Sequence, residues 1–397
     1  MTFDYDVVII GGGPTGSTLA NYLLDEGLSV CIIEKKKRIG YPLQCAGILS
    51  HHIFELNELP DDIILNRVEG AFLHTKNQML HIRKDEPVAY IIDRVAYDNF
   101  LFSKAVDNGV HTINQKAVDF DLDAGEVYLQ NDETVKSRII VGCDGYNSIL
   151  SNKMGNVQSN FHATQMLVEI DDENILRYRN STEQSNNFVD AGMLEEISPG
   201  FFWIIPTGNS LYRVGLFSGE THRSQNEFLE DFLDENFEYE TVEKYKGFIP
   251  IFSERNLMAK SRAILVGDAA AQVKPTSGGG LLIGFDACQM ASKWICRALS
   301  EDDVGLLKEY QKEFNRKYSK EFSYQFKVQK TLKMFSDDDL DYLFLKLREN
   351  DGEAIVSKYG DMDTQSTLVK EVIKSGLIFK IVPSFLFKKV FKIFGLR

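Results

Sequence analysis

Val7-Val8-Ile9-Ile10-Gly11-Gly12-Gly13-Pro14-Thr15-Gly16 is an apolar strand that runs into Gly-x-Gly-x-x-Gly and then into a helix. Gly11 permits the tight turn, Gly13 lets the backbone approach a pyrophosphate, and Gly16 lets helix and strand pack closely. A second apolar run, residues 28–33, closes on Glu34, whose carboxylate can accept hydrogen bonds from a ribose. Strand, loop, helix, strand and acid together predict a βαβ dinucleotide site. A glycine-rich turn without a ligand needs none of the other four.

The glycine loop alone leaves NAD and FAD equally open. Ile264-Leu265-Val266-Gly267-Asp268-Ala269-Ala270 separates them, because a Gly-Asp element after another apolar strand is what a flavin enzyme uses for the far end of its cofactor. An Asp at a strand's end can bond a ribityl hydroxyl. The helix opening near Gly278-Gly279-Gly280 offers unpaired N–H groups and a positive dipole end to the reduced, anionic isoalloxazine. Between the two elements lies Val141-Gly142-Cys143-Asp144-Gly145, which in isolation reads as a tight turn after a buried strand. FAD is therefore the expected cofactor.

Working outward, 397 residues of which 44% are hydrophobic can bury a large core in two or three domains. The five cysteines, Cys31, Cys45, Cys143, Cys288 and Cys296, are odd in number and contain no Cys-x-x-Cys pair. Neither a disulfide framework nor a metal site is signalled, which fits a reducing cytoplasm. Met1 leads directly into the first strand, and no run of about 18 apolar residues occurs, so a protein neither secreted nor membrane-spanning is expected. A net charge of −14 argues against nucleic acid. The tail is electrostatically distinct: from Lys370 onward, Lys370, Lys374, Lys380, Lys388, Lys389, Lys392 and Arg397 face one acid, Glu371.

The pattern predicts an α/β protein with a Rossmann-like FAD-binding domain, an inserted antiparallel-sheet substrate domain and a helical C-terminal region. The boundaries expected are residues 1–160 and 253–300 for the discontinuous FAD-binding domain, 161–252 for the substrate domain and 301–397 for the helical region. Residues 90–94 read as a strand entering a helix, and residues 118–130 alternate around Asp123-Ala124-Gly125 like a hairpin. β-rich runs at 165–170, 201–205 and 211–217 suggest the inserted sheet. Past Gly284, Ala287, Cys288, Ala291, Trp294, Ile295 and Ala298 keep helical spacing.

Gly-loop, Asp-Gly and Gly-Asp in this order resemble the glutathione-reductase-like flavoproteins of the aromatic hydroxylase type, over nearly the first 300 residues. Arg94, in Ile92-Asp93-Arg94-Val95, matches the arginine such enzymes place near the cofactor. Two further stretches narrow the resemblance. Tyr41-Pro42-Leu43-Gln44-Cys45-Ala46-Gly47 and Gly200-Phe201-Phe202-Trp203-Ile204-Ile205-Pro206 are similar to the Pro-x-x-Cys-(Gly/Ala)-Gly and aromatic-x-Trp-x-Phe-Pro elements of the geranylgeranyl reductase family. Phe201 stands where that family has tyrosine, and Ile205 where it has phenylalanine. Among its members the archaeal digeranylgeranylglycerophospholipid reductases show the nearest pattern.

With that resemblance, the expected cofactor set is Gly11, Gly13, Thr15, Gly16, Glu34, Cys45, Ala46, Gly47, Arg94, Val118, Asp268, Gly280 and Leu281. Phe201, Trp203 and Pro206 are the expected substrate contacts, and Cys45, in a loop where a core role is unnatural, is the candidate catalytic residue. The implied reaction is reduction of isolated C=C bonds in geranylgeranyl chains on a membrane lipid precursor. An unactivated alkene is a poor hydride acceptor, so a positioned acid must supply a proton as well.

No second nucleotide site is visible, which leaves NADPH and a ferredoxin-like protein open as electron donor. The tail places Leu386, Phe387, Val390, Phe391 and Phe394 on one helical face and Lys388, Lys389 and Lys392 on another. That composition suits peripheral contact at the cytoplasmic membrane face, or docking on the body. Two rivals remain. An aromatic-ring monooxygenase of this scaffold usually has an asparagine after the glycine segment, which Gly280-Leu281-Leu282 lacks. A prenyl-binding carrier would have no use for Glu34 and Asp268.

Overall fold

The computed structural model describes residues 2–395, so Arg397 of the basic tail lies outside the described residues. The Val7–Ile10 run is buried on both faces because it is central: strand Tyr5–Ile10 pairs in parallel with Val30–Ile33 on one side and Thr134–Gly142 on the other. His111–Ile113 extends the sheet beyond the former, and Ala263–Leu265 beyond the latter, both in parallel. The chain thus winds outward one way from Tyr5–Ile10 and returns on its other side. That reversal opens a crevice at the carboxyl ends of the strands, where doubly wound sheets bind ligands.

Helix Pro14–Asp25 and helix Leu281–Ser300 pack together beside this sheet, and their buried faces join one apolar core with Val8, Ile140 and Ile264. Pro at the first turn of Pro14–Asp25 fits a position whose N–H needs no partner. The hairpin expected near Val118 forms from Ala117–Asp121 and Glu126–Leu129.

A second, seven-stranded sheet runs in the order Tyr239–Pro250, Asn160–Ile170, Leu211–Ser218, Phe201–Gly208, Phe188–Gly192, Gly70–His74, Met79–Arg83. Its last two strands come from outside residues 161–252. Phe188–Gly192 pairs in parallel with Gly70–His74, a partner more than a hundred residues earlier that local periodicity cannot assign. A small three-stranded sheet, Ile48–Ser50, Ala89–Ile92 and Ile64–Val68, joins the two larger ones.

After helix Leu307–Leu332 the chain folds through Asp337–Glu349, Gly352–Tyr359, Ser366–Lys374 and Phe387–Phe394. These helices bury Phe335, Leu340, Phe344, Ile378, Leu386 and Val390 against Leu80 and Ile82 of the second sheet. Phe387, Phe391 and Phe394, partly buried, pack on the same cluster, so the apolar stripe of the tail lies largely against the body. The most exposed aromatics of the tail are Phe379, 60% exposed, and Phe385, 72% exposed.

Candidate active site

A cavity of about 550 Å³ lies outside the carboxyl ends of the first sheet, within the range of small-molecule sites. Its walls come from the glycine loop, residues 33–36, 39–40, 42–45 and 48–50, Arg94, residues 144–147 and 248–250, Asp268, Lys274, the 278–283 stretch and Met362 with Asp363. Gly11 has φ +103°, and a Cβ there would stand 2.4 Å from the Cys143 carbonyl oxygen. A Cβ on Gly16 would meet the Gly11 carbonyl at 2.0 Å, so this glycine serves helix-to-strand packing and does not line the cavity. Gly13 has open space where its side chain would be, and it begins helix Pro14–Asp25 with no side-chain cap. N–H groups left open in this way suit a pyrophosphate.

Glu34 sits at the end of its strand with one carboxylate oxygen accepting from Gly12 N at 2.7 Å and the other from Lys36 N at 2.6 Å. At the other end, Asp268 makes no side-chain hydrogen bond among the described residues, and burial pushes its carboxyl up against the opposing charge of Arg94. Its Oδ1 lies 3.0 Å from where a Cβ of Gly280 would be. Asp144 accepts from Ile149 N at 2.8 Å through Oδ2, while Oδ1 is buried without a partner. Helix Leu281–Ser300 likewise starts uncapped at Gly280. Free N–H groups at two helix starts, two half-buried carboxyls with spare acceptors and a side-chain-free approach at Gly13 form a donor and acceptor set that fits FAD.

Cys45 lines the cavity between two arginines. Arg94 forks onto Asp98 at 3.0 to 3.2 Å, and despite opposing burial Asp98 and then the Cys45 sulfur hold its pKa up. Arg213 is buried, and burial lowers its pKa, with Cys45 the first influence to oppose that. Its Nη1 donates to Ala46 O at 2.9 Å and Ile92 O at 3.1 Å. Gly47 N donates to Cys45 Sγ at 3.4 Å.

Of the residues expected from sequence, Gly11, Gly13, Thr15, Glu34, Cys45, Arg94, Asp268, Gly280 and Leu281 meet in this one cavity. Ala46 and Gly47 do not line it; they carry the carbonyl and the empty space that Arg213 uses. Val118 is not brought there either. Its side chain is 46% exposed, and strand alternation gives the place to Ala117, its neighbour. Phe201 and Trp203 stand behind the cavity in an apolar cluster with Ile48, Ile249 and Met362, which do line it. Trp203 Nε1 donates to Gln165 Oε1 at 3.0 Å. Pro206 is of opposite parity to Trp203 and falls on the other face of the sheet, with Phe202 and Ile204.

The sequence reading missed Arg213, Lys274 and the Met362-Asp363 pair. Lys274 lies between the Gly267-Asp268 element and Gly278-Gly279-Gly280, both read as cofactor-binding, whereas nothing local marks residues 362 and 363.

A family model described as an FAD binding domain matches residues 4–320. An uncharacterised protein of Methanocaldococcus jannaschii is 33% identical, over 96% of this chain and 99% of its own length. Digeranylgeranylglycerophospholipid reductase 1 of Methanococcoides burtonii is 26% identical, over 88% of this chain and 89% of its own. Among solved structures, a geranylgeranyl bacteriochlorophyll reductase-like protein of Thermoplasma acidophilum matches with a TM-score of 0.80 over 98% of this chain and 99% of that one, at 21% identity. A halogenase in complex with FAD matches with a TM-score of 0.67 over 94% and 84%, at 17% identity. At these identities the structural matches speak for the fold alone.

Proposed function

The chain belongs to the FAD-binding-domain family and is an FAD-dependent oxidoreductase, and from that premise we propose that it saturates isolated C=C bonds in geranylgeranyl chains of a membrane lipid precursor. The observation that carries this reading is the polarity of the cavity. Besides Glu34 and the glycine loop, its lining includes Cys45, Phe248 and the apolar Ile48, Ile249 and Met362, and Trp203 and Phe201 back these last three. An apolar chain can lie along such a wall.

In this reading Glu34 and Asp268 hold opposite ends of FAD, and Gly13 and Gly280 open the helix starts toward it. FAD bound here, once reduced by two electrons from the external donor, would supply the hydride and return to its oxidised form. The protein's part is to exclude water and hold a proton. Phe248, Ile249 and Met362 keep the reacting carbons dry. Cys45 Sγ holds the proton for the carbon that does not receive hydride, and its release leaves negative charge between Arg94 and Arg213. Arg213 is a positioning residue, since it fixes the Ala46 carbonyl and so the Cys45 loop.

The lipid substrate also implies a surface to reach it from. Exposed Phe379 and Phe385, with exposed Lys380, Lys388 and Lys389 close to them in sequence, make up the part of the tail suited to anionic membrane contact. No described helix is long and apolar enough to cross a membrane.

Anaerobic turnover with dithionite as reductant tests the proposal. Mass spectrometry of a geranylgeranyl lipid should show the mass of two hydrogens added per reduced bond with oxygen absent, and Cys45→Ala should retain FAD while losing most of this activity. Product formed only on admitting oxygen, carrying a new hydroxyl, would establish the monooxygenase instead.

A further inference from the structure

Lys274 places a charged side chain, 8% exposed, in the cavity wall just before the Gly278-Gly279-Gly280 loop. The loop closes on it, with Lys274 N donating to Gly279 O at 3.0 Å and Gly278 N donating to Lys274 O at 2.9 Å. Its alkyl stem lies against Gly279 so closely that a Cβ there would be 2.6 Å from Cε and 3.0 Å from Nζ. The ammonium is therefore fixed beside the stretch that opens helix Leu281–Ser300, where the dipole end already favours negative charge.

Its partners arrive from the far end of the chain. Nζ donates to Asp363 Oδ1 at 2.7 Å and to Met362 O at 2.8 Å, which uses two of its three donors. Ser50 Oγ donates to the other oxygen of Asp363, and Asp363 N donates to Asp361 Oδ1 at 2.7 Å. Although burial opposes it, Lys274 and Ser50, with His52 nearby, hold the Asp363 carboxyl below the usual carboxylate range. The Asp363 side chain is thus a carboxylate near neutral pH. Within the same loop Ser277 Oγ is buried without a partner. The spare Lys274 donor and this orphaned hydroxyl both mark a polar ligand edge at the loop.

We infer that Lys274 tunes the reduction potential of the bound flavin and that Asp363 sets how much of its charge the flavin feels. Reduction adds negative charge to the ring system. A buried ammonium close to the glycine loop stabilises that charge, and a carboxylate on its far side offsets part of the effect. Arg94, Asp98 and Asp268, which also line the cavity, keep their charged side chains in substitutions at the pair. The inference rests on the flavin alone and not on the lipid substrate.

Spectroscopic titration of the FAD-loaded protein against redox dyes tests it, with no substrate present. Lys274→Met should lower the reduced-to-oxidised ratio at a fixed poise by about tenfold, equivalent to about 30 mV for a two-electron couple. Asp363→Asn, which keeps an acceptor for the ammonium but removes the charge, should raise that ratio, and Lys274→Arg should restore most of the wild-type value. A pair that merely fastens the C-terminal segment would move neither, or both in the same direction, and either result overturns the inference. Should Lys274→Met fail to hold FAD, Asp363→Asn decides alone: a ratio unchanged or lowered overturns it. Loss of lipid reduction in an otherwise well-poised enzyme would count against the substrate reading and not against this one.

Discussion

Gly47 has φ +73°, and a Cβ there would stand 2.2 Å from Arg213 Nη1 and 2.9 Å from the Ile92 carbonyl oxygen. The residue therefore combines left-handed backbone with the space an arginine needs to brace the Cys45 loop. Gly47→Ala should cost about 1–3 kcal/mol of stability, read as a lowered urea midpoint, and should impair turnover beyond what the lost stability explains, because Arg213 must leave the Ala46 carbonyl. A substitution with unchanged stability and full turnover would show that Arg213 has no positioning role. Glu34, Asp268 and the glycines of the loop were legible because each belongs to a short run whose spacing carries its geometry. Arg213 was not, since its partner carbonyl lies 167 residues away in sequence.

Among the elements, the second sheet carries its own electrostatic anchor. Arg179 donates to Asp190 at 2.6 to 3.1 Å, His74 Nε2 lies 2.8 Å from the same carboxylate, and Asp190 is fully buried. These residues tie helix Asp172–Tyr178 and strands Phe188–Gly192 and Gly70–His74 into one unit. Asp190→Asn should cost about 3–5 kcal/mol, since it leaves a guanidinium buried without its counter-charge. Burial alone would raise the Asp190 pKa, but Arg179 and His74 together lower it. The carboxylate's contribution is accordingly full above the unfolded value, about 3.9, and is lost as pH falls through the lower folded one. Urea midpoints should then fall more steeply with acid in the wild type than in Asp190→Asn.

The C-terminal helix makes a different point about elements. Its apolar stripe was readable, but which surface covers it was not, because the partners Leu80 and Ile82 belong to a remote hairpin. Replacing Phe379 and Phe385 with Ser should leave the fold intact and weaken sedimentation with anionic vesicles. Unchanged vesicle binding would remove the tail from the membrane proposal.

At the scale of the whole molecule, the parallel sheet was legible from three strand-and-glycine runs, whereas the second sheet was only half legible. Its strands Asn160–Ile170, Phe201–Gly208 and Leu211–Ser218 alternate visibly, but Gly70–His74 and Met79–Arg83 join it across a gap that no local pattern spans. The same limit hid Met362 and Asp363, which complete the cavity from the opposite end of the chain to Gly11. A consequence follows for how the protein is made. During synthesis the ribosome delivers every dinucleotide motif by Gly280 and the pocket's last wall only at residue 363. The growing chain can recognise its cofactor well before it can enclose it, and flavin loading becomes a final inspection that a prematurely terminated chain cannot pass.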